Sequence, residues 1–216
     1  MFFTRKAELV DPGRTLPGRT ERPFPVSDRH RVLDAPVVTD HAPEGLEVAI
    51  FGLGCFWGAE EIYWQVPGVW STSVGYAGGT TPHPTYEEVC SGATNHTEAV
   101  RIVFDPEQVS YADLVKTFFE VHDPTQGFRQ GNDVGTQYRS AIYWTTPEQE
   151  QVARELTRVY GEELKRRRLG DITTEIRPAS EAPYFYAEDQ HQQYLAKNPF
   201  GYRCHANTGV KFPSDA

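Results

Sequence analysis

Cys55 lies in the segment Gly54-Cys55-Phe56-Trp57-Gly58, between an apolar run and the start of a helical pattern. A cysteine at a helix N-terminus faces the positive end of the helix dipole and backbone N–H groups with no partner inside the helix. Both favour the nucleophilic thiolate and predict a pKa below the usual thiol value of about 8.5. A buried packing thiol is the competing reading, and the residues alone leave both open. The flanking glycines permit close approach of another part of the chain. Glu98 is the second group with chemistry in it. Residues 98–105 alternate, so Glu98, Val100, Ile102 and Phe104 share one face, and Ala99, Arg101, Val103 and Asp105 the other. A carboxyl on an apolar face is desolvated, which raises its pKa and suits it to general acid work near neutral pH. At a strand end the same residue could instead be an exposed carboxylate.

These groups need a scaffold that brings residue 55 to residue 98. Residues 46–53 are an apolar run bounded by Gly45 and Gly54, which predicts a buried strand. Residues 56–66 predict a helix stopped by Pro67-Gly68, and 69–76 a second strand closed by Gly78-Gly79. Ser110 caps a helix with Asp113 three residues on, and Leu114, Val115, Phe118 and Phe119 form its apolar stripe. Residues 123–137 read as a glycine-rich loop and 138–144 as a strand. Thr146-Pro147 with Gln149 opens a helix that turns Val152, Leu156 and Val159 inward and ends at Gly170. Ile172, Thr174 and Ile176 mark a further strand, and 187–196 a last helix stopped by Asn198-Pro199. The tail from Phe200 is irregular. Helices and strands interleave, yet several strands alternate polar and apolar residues. The expected class is therefore α+β: a mixed β-sheet with helices packed against it, a two-layer α/β sandwich. A doubly wound parallel sheet is the alternative. Residues 1–45, rich in Pro and Arg and without periodicity, predict an extended N-terminal arm, and 46–216 a single domain.

The bulk properties remove several function classes. A chain of 216 residues has room for one sizeable core. Its net charge of −9 opposes binding to the phosphates of a nucleic acid. The one basic run, Lys165-Arg166-Arg167-Arg168, falls at the end of a predicted helix, where it complements the dipole. No apolar stretch is long enough to span a bilayer, and the N-terminus has no apolar signal core, so no membrane association is expected. Three cysteines far apart in sequence do not make a secreted disulfide framework and point to a reducing cytoplasm. Neither a Cys-x-x-Cys nor a His-x-x-x-His pair suggests zinc, and no glycine fingerprint for a nucleotide is present. No metal and no cofactor are expected.

Residues 54–58 resemble the catalytic signature of the A-type peptide methionine sulfoxide reductases. Further segments resemble that family in the same order: Gly75-Tyr76-Ala77-Gly78-Gly79, Tyr86-Glu87-Glu88-Val89-Cys90-Ser91-Gly92, His96-Thr97-Glu98-Ala99-Val100, Asp133-Val134-Gly135-Thr136-Gln137-Tyr138-Arg139-Ser140 and Glu188-Asp189-Gln190-His191-Gln192-Gln193-Tyr194. The similarity runs over residues 46–212. It implies a ferredoxin-like sandwich and an enzyme that reduces methionine S-sulfoxide, free and in proteins, to methionine. It also implies roles: Cys55 as nucleophile, Glu98 as proton donor, and Tyr86 and Tyr138 as hydroxyl donors to the sulfoxide oxygen. Phe56 and Trp57 would form a slot for the methyl group, and Asp133 would order the pocket. Read without the family, each tyrosine is an amphipathic core residue and Asp133 a turn former.

Attack by Cys55 would leave a sulfenic acid. Cys204, in the irregular tail, is expected to resolve it as an intramolecular disulfide, whereas Cys90, in a short helix, is expected to be a buried structural thiol. Many members carry two recycling cysteines in a glycine-rich tail; this chain has one, which excludes a double relay. The resemblance further implies thioredoxin as reductant and oxidised proteins or peptides as substrates, and a monomer is expected. The residues alone leave two alternatives: a thiol peroxidase or redox sensor, and a non-catalytic module that binds oxidised methionine.

Overall fold

The computed structural model describes residues 8–39, 41–204 and 206–213. Residues 1–7 of the expected arm, Asp40, His205 of the tail and residues 214–216 lie outside the described residues. Among these, β1 (Glu47–Leu53), α1 (Phe56–Trp64), β2 (Val69–Ala77), β3 (Thr97–Phe104), α3 (Tyr111–Val121) and β6 (Ser140–Trp144) make the frame. The intervening and following elements are α2 (Tyr86–Cys90), a small hairpin of β4 (Arg129–Gln130) and β5 (Asp133–Val134), α4 (Pro147–Arg166), β7 (Glu175–Pro178), β8 (Phe185–Tyr186) and α5 (Tyr194–Lys197).

The main sheet has six strands in the order β7-β6-β1-β3-β2-β8. Its middle, β6-β1-β3-β2, together with α1 and α3, is the split βαβ arrangement of a ferredoxin-like sandwich. β6 and β7 pair in parallel and the other neighbours are antiparallel, so the sheet is mixed. Helices α1, α3 and α4 cover one face. There Phe51, Val100, Ile102, Phe104, Tyr63, Phe118, Phe119 and Tyr160 build the large core. No helix among the described residues is long and apolar enough to cross a membrane.

The second face of β3 is covered as well: every residue of the strand is buried, and Ala99 packs in a smaller cluster with Ile50, Ala77, Ala141, Tyr143 and Ala182. Coil covers this face. Arg101 is buried there and donates to Thr39 Oγ1, and Ser71 donates to the carbonyl of Pro36. The expected helix over 187–196 is mostly absent. Only Tyr194–Lys197 is α-helical, and residues 189–193 are turns ending at Gln193 in the left-handed region. Its charged and amide side chains bond to distant elements and replace an intrahelical ladder, which periodicity cannot register.

Residues 8–39 follow the body of the protein through specific bonds. Val10 exchanges hydrogen bonds with the Asn95 side chain. Arg19 forks onto both oxygens of Glu88 at 2.7 and 2.9 Å. Ser27 N–H reaches Asp189.

Candidate active site

The β1–α1 turn sets the site. Gly54 has φ +96, and a Cβ there would sit 2.6 Å from Gln130 Cγ. Only glycine lets the β4–β5 hairpin close against this turn. Cys55 is then the N-cap of α1; its side chain makes no capping hydrogen bond, but the nearby N–H groups of Trp57 and Gly58 favour its thiolate. The next N–H, of Phe56, donates to Glu98 Oε2 at 3.0 Å. Thiol and carboxyl are thus tied to the same helical turn.

A cavity of about 230 Å³ opens over this turn. It is lined by Cys55, Phe56, Trp57, Tyr86, Glu98, Asp133, Tyr138 and Tyr202. Seven of the eight residues singled out in the sequence therefore meet in one place, although they come from α1, α2, β3, β5 and the turn before β6. The eighth, Cys204, lies on the β4–β5 hairpin, where its thiol donates to the carbonyl of Gln130 at 3.5 Å. A Cβ on Gly131 would come within 3.2 Å of its sulfur. No disulfide joins the cysteines.

The electrostatics differ from the sequence reading at one point. Burial pushes the Cys55 thiol well above its usual range, and the Glu98 and Asp133 carboxylates push it further; the Trp57 and Gly58 N–H groups only partly offset this. The expected lowering by the helix terminus is real but smaller than desolvation. Glu98 moves in the expected direction. Burial raises its carboxyl to about 8, the Phe56 N–H pulling it down and Asp133 pushing it up. The free site at neutral pH therefore holds a neutral thiol beside a neutral acid. Burial and the Glu98 carboxylate also keep the Tyr86 and Tyr138 hydroxyls protonated. Cys90 is half-buried, not buried as expected, and its thiol acts on the Tyr86 hydroxyl.

The apolar wall is an aromatic stack. Trp57 lies on Tyr194 with ring centroids 3.9 Å apart, and its Nε1–H donates to His191 Nδ1 at 3.2 Å. His191 packs on Tyr86 at 4.3 Å, and its Nε2 is buried with no hydrogen-bond partner among the described residues. Glu188 accepts from the Tyr86 N–H and from the Tyr76 hydroxyl, at 2.7 and 2.8 Å. On the opposite side the Tyr202 hydroxyl donates to both oxygens of Asp133. Sequence reasoning assigned no role to Tyr202, His191 or Tyr194. The last two lie in a quoted family segment, which was the available signal. Tyr202 had only its place two residues before Cys204.

This geometry agrees with the relationships of the chain. A family model described as peptide methionine sulfoxide reductase matches residues 47–214. The chain belongs to that family. A peptide methionine sulfoxide reductase of Salinispora arenicola is 56% identical over 99% of this chain and 96% of its own length. One from Rhodospirillum centenum is also 56% identical, over 99% of this chain and 95% of its own. Among solved structures, the methionine sulfoxide reductase A of Corynebacterium diphtheriae superposes with a TM-score of 0.85 at 50% identity, over 96% of this chain and all of that one. Reduced Mxr1 of Saccharomyces cerevisiae superposes with a TM-score of 0.67 at 32% identity, over 76% and 92% of the respective chains. Within the reductase fold of this chain, the family match takes in every residue that lines the cavity.

Proposed function

We propose that this chain reduces the S epimer of methionine sulfoxide, free and in proteins, by the thiol of Cys55. The observation that carries the reading is that Cys55 and Glu98 hang from one helical turn at the floor of an aromatic-walled cavity. Phe56 and Trp57 receive the methyl group, which excludes water from the reacting sulfur. Tyr86 and Tyr138 donate to the sulfoxide oxygen, and Asp133 holds the rim in shape through Tyr202. Cys55 sulfur attacks the sulfoxide sulfur while Glu98 protonates the oxygen. The oxygen passes to Cys55 with the proton that Glu98 gave it, giving Cys–SOH and methionine, and the thiol proton returns to Glu98. Methionine sulfur is reduced by two electrons and Cys55 sulfur is oxidised by two, so the step needs no cofactor.

Cys204 then displaces water from the sulfenic acid and forms a disulfide with Cys55. A thioredoxin-type dithiol protein reduces that disulfide and returns both thiols. Residues 46–216 form the catalytic unit, and residues 8–39 of the N-terminal arm brace it. The protein acts as a monomer in the cytoplasm, where thiols are kept reduced, and repairs proteins damaged by oxidants. The test is a dithiothreitol-driven assay on a methionine sulfoxide peptide, run beside hydrogen peroxide. Release of methionine from the S epimer is expected. Consumption of peroxide without methionine release would overturn the reading.

A further inference from the structure

Glu60 is a completely buried carboxyl that the reaction does not use, one turn along α1 from Trp57. Its Oε2 accepts from the backbone N–H of Gln193 at 2.7 Å. Its Oε1 accepts from Gln193 Nε2 at 2.8 Å and from the Thr72 hydroxyl at 3.1 Å. Thr72 is held in turn by His30 Nε2 at 2.8 Å. His30 Nδ1 accepts from the N–H groups of Val32 and Leu33, so the ring proton sits on Nε2 and the donors run from His30 to Thr72 to Glu60. Burial lowers the His30 pKa to about 4 and keeps the ring neutral, so its 3.9 Å approach to Glu60 is not an ion pair. The bonds from Gln193 and Thr72, with Lys197, pull against the burial that raises Glu60 to about 7.

Gln193 has φ 46 and ψ 42, the left-handed region. A residue other than glycine persists there only when its surroundings hold it. What this turn carries is the aromatic wall. The following residue, Tyr194, stacks on Trp57, and His191 accepts from the Trp57 indole. Residues three apart on a helix share a face. Trp57 and Glu60 therefore grip residues 191–194 at two points, the first through rings and the second through its carboxylate.

We infer that Glu60 is a positioning residue for the methyl slot: its carboxyl fixes the left-handed turn at Gln193 and so presses the Tyr194 and His191 rings against Trp57. Glu60 touches no substrate and acts through Trp57. The inference rests on Trp57 forming the slot.

The experiment is single turnover of the reduced full chain on a methionine sulfoxide peptide, with no reductant, reading methionine release against peptide concentration. Glu60→Gln keeps the volume but sets a donor against the donors of Gln193 or Thr72. The half-saturating concentration is expected to rise about tenfold, the effect of one lost charge-assisted bond, with the saturating rate little changed. Adding Gln193→Gly should return it toward wild type, because glycine holds this backbone conformation without help. In the wild-type background Gln193→Ala should raise the half-saturating concentration and Gln193→Gly should raise it less; this pair decides the matter even if Glu60→Gln does not fold. A folded Glu60→Gln with unchanged half-saturation, a rise that Gln193→Gly does not reverse, or equal effects of Ala and Gly at 193 would overturn the inference. Trp57→Phe is run in parallel. If it leaves half-saturation unchanged, the slot reading fails, whatever Glu60 does.

Discussion

Replacing Glu98 by Gln separates its chemistry from its contribution to stability. The carboxyl titrates at about 8 in the folded protein, against an ordinary 4.5. That gap corresponds to an ionisation cost of about 5 kcal/mol. Between pH 4.5 and about 8 the unfolded chain releases this proton while the folded protein keeps it. The folded pKa is raised, so stability from this group is full below the unfolded value and is lost as pH rises to 8. Gln has no proton to release. Glu98→Gln should therefore gain on the wild type as pH rises, by up to about 5 kcal/mol at pH 8, read as urea midpoints at pH 5, 6.5 and 8. Its single-turnover rate should fall by roughly 10²–10⁴, the usual cost of a lost general acid. The wild-type rate should hold up to about pH 8 and decline above it as Glu98 ionises. The ionised carboxylate also raises the Cys55 pKa, so thiolate does not make up the loss. A rate that climbs through pH 8, an unchanged rate in Glu98→Gln, or a stability gap independent of pH would each refute this reasoning.

Cys55→Ser should abolish methionine release, and wild type should leave the R epimer untouched; equal rates on both epimers, followed by chiral chromatography, would contradict the site. Cys204→Ser should still release one equivalent of methionine but lose turnover with thioredoxin, and peptide mapping of oxidised wild type should find a Cys55–Cys204 link. A Cys55–Cys90 link there would reassign the resolving thiol. Tyr202→Phe removes the donor to Asp133 and should raise the half-saturating sulfoxide concentration about threefold to tenfold in single turnover. Gly75→Ala would place a Cβ 2.3 Å from the Phe185 carbonyl, and a loss of more than about 2 kcal/mol in thermal or urea unfolding is expected.

The frame was legible because it rests on period and punctuation. The alternation over residues 98–105 marks β3, which spans Thr97–Phe104, and the Ser110 and Thr146 caps begin α3 and α4. The two-residue β4, β5 and β8 carry no periodic signal. Residues 138 and 139 fall outside the strand expected over 138–144, because Thr136–Tyr138 close a single 3-10 turn first. The cavity residues were legible as types and as family motifs, but their convergence depends on the sheet order. The rise of Glu98 followed from its place on an apolar face. The sign at Cys55 did not follow from its helix terminus, because two carboxylates distant in sequence and the burial itself act against the dipole. Coverage of the second sheet face by Pro36 and Thr39 had no signature: a Pro-rich segment without periodicity shows nothing of the partners its backbone finds.

Tyr202 lines the cavity and Cys204 follows it by two residues on the same irregular stretch. A disulfide requires the sulfurs at about 2.05 Å and the Cα atoms within about 7 Å. On the proposed route Cys204 leaves the Gln130 carbonyl to bond Cys55, whose sulfur lines the cavity, so the disulfide takes up the atom that a sulfoxide would meet. A sulfoxide and the enzyme's own disulfide cannot share the centre. Methionine has to depart before the reductant engages, and a protein repaired at one side chain is released before the enzyme regains its electrons. The two substrates should accordingly give parallel lines in double-reciprocal plots, each seeing a form of the enzyme that the other has left behind.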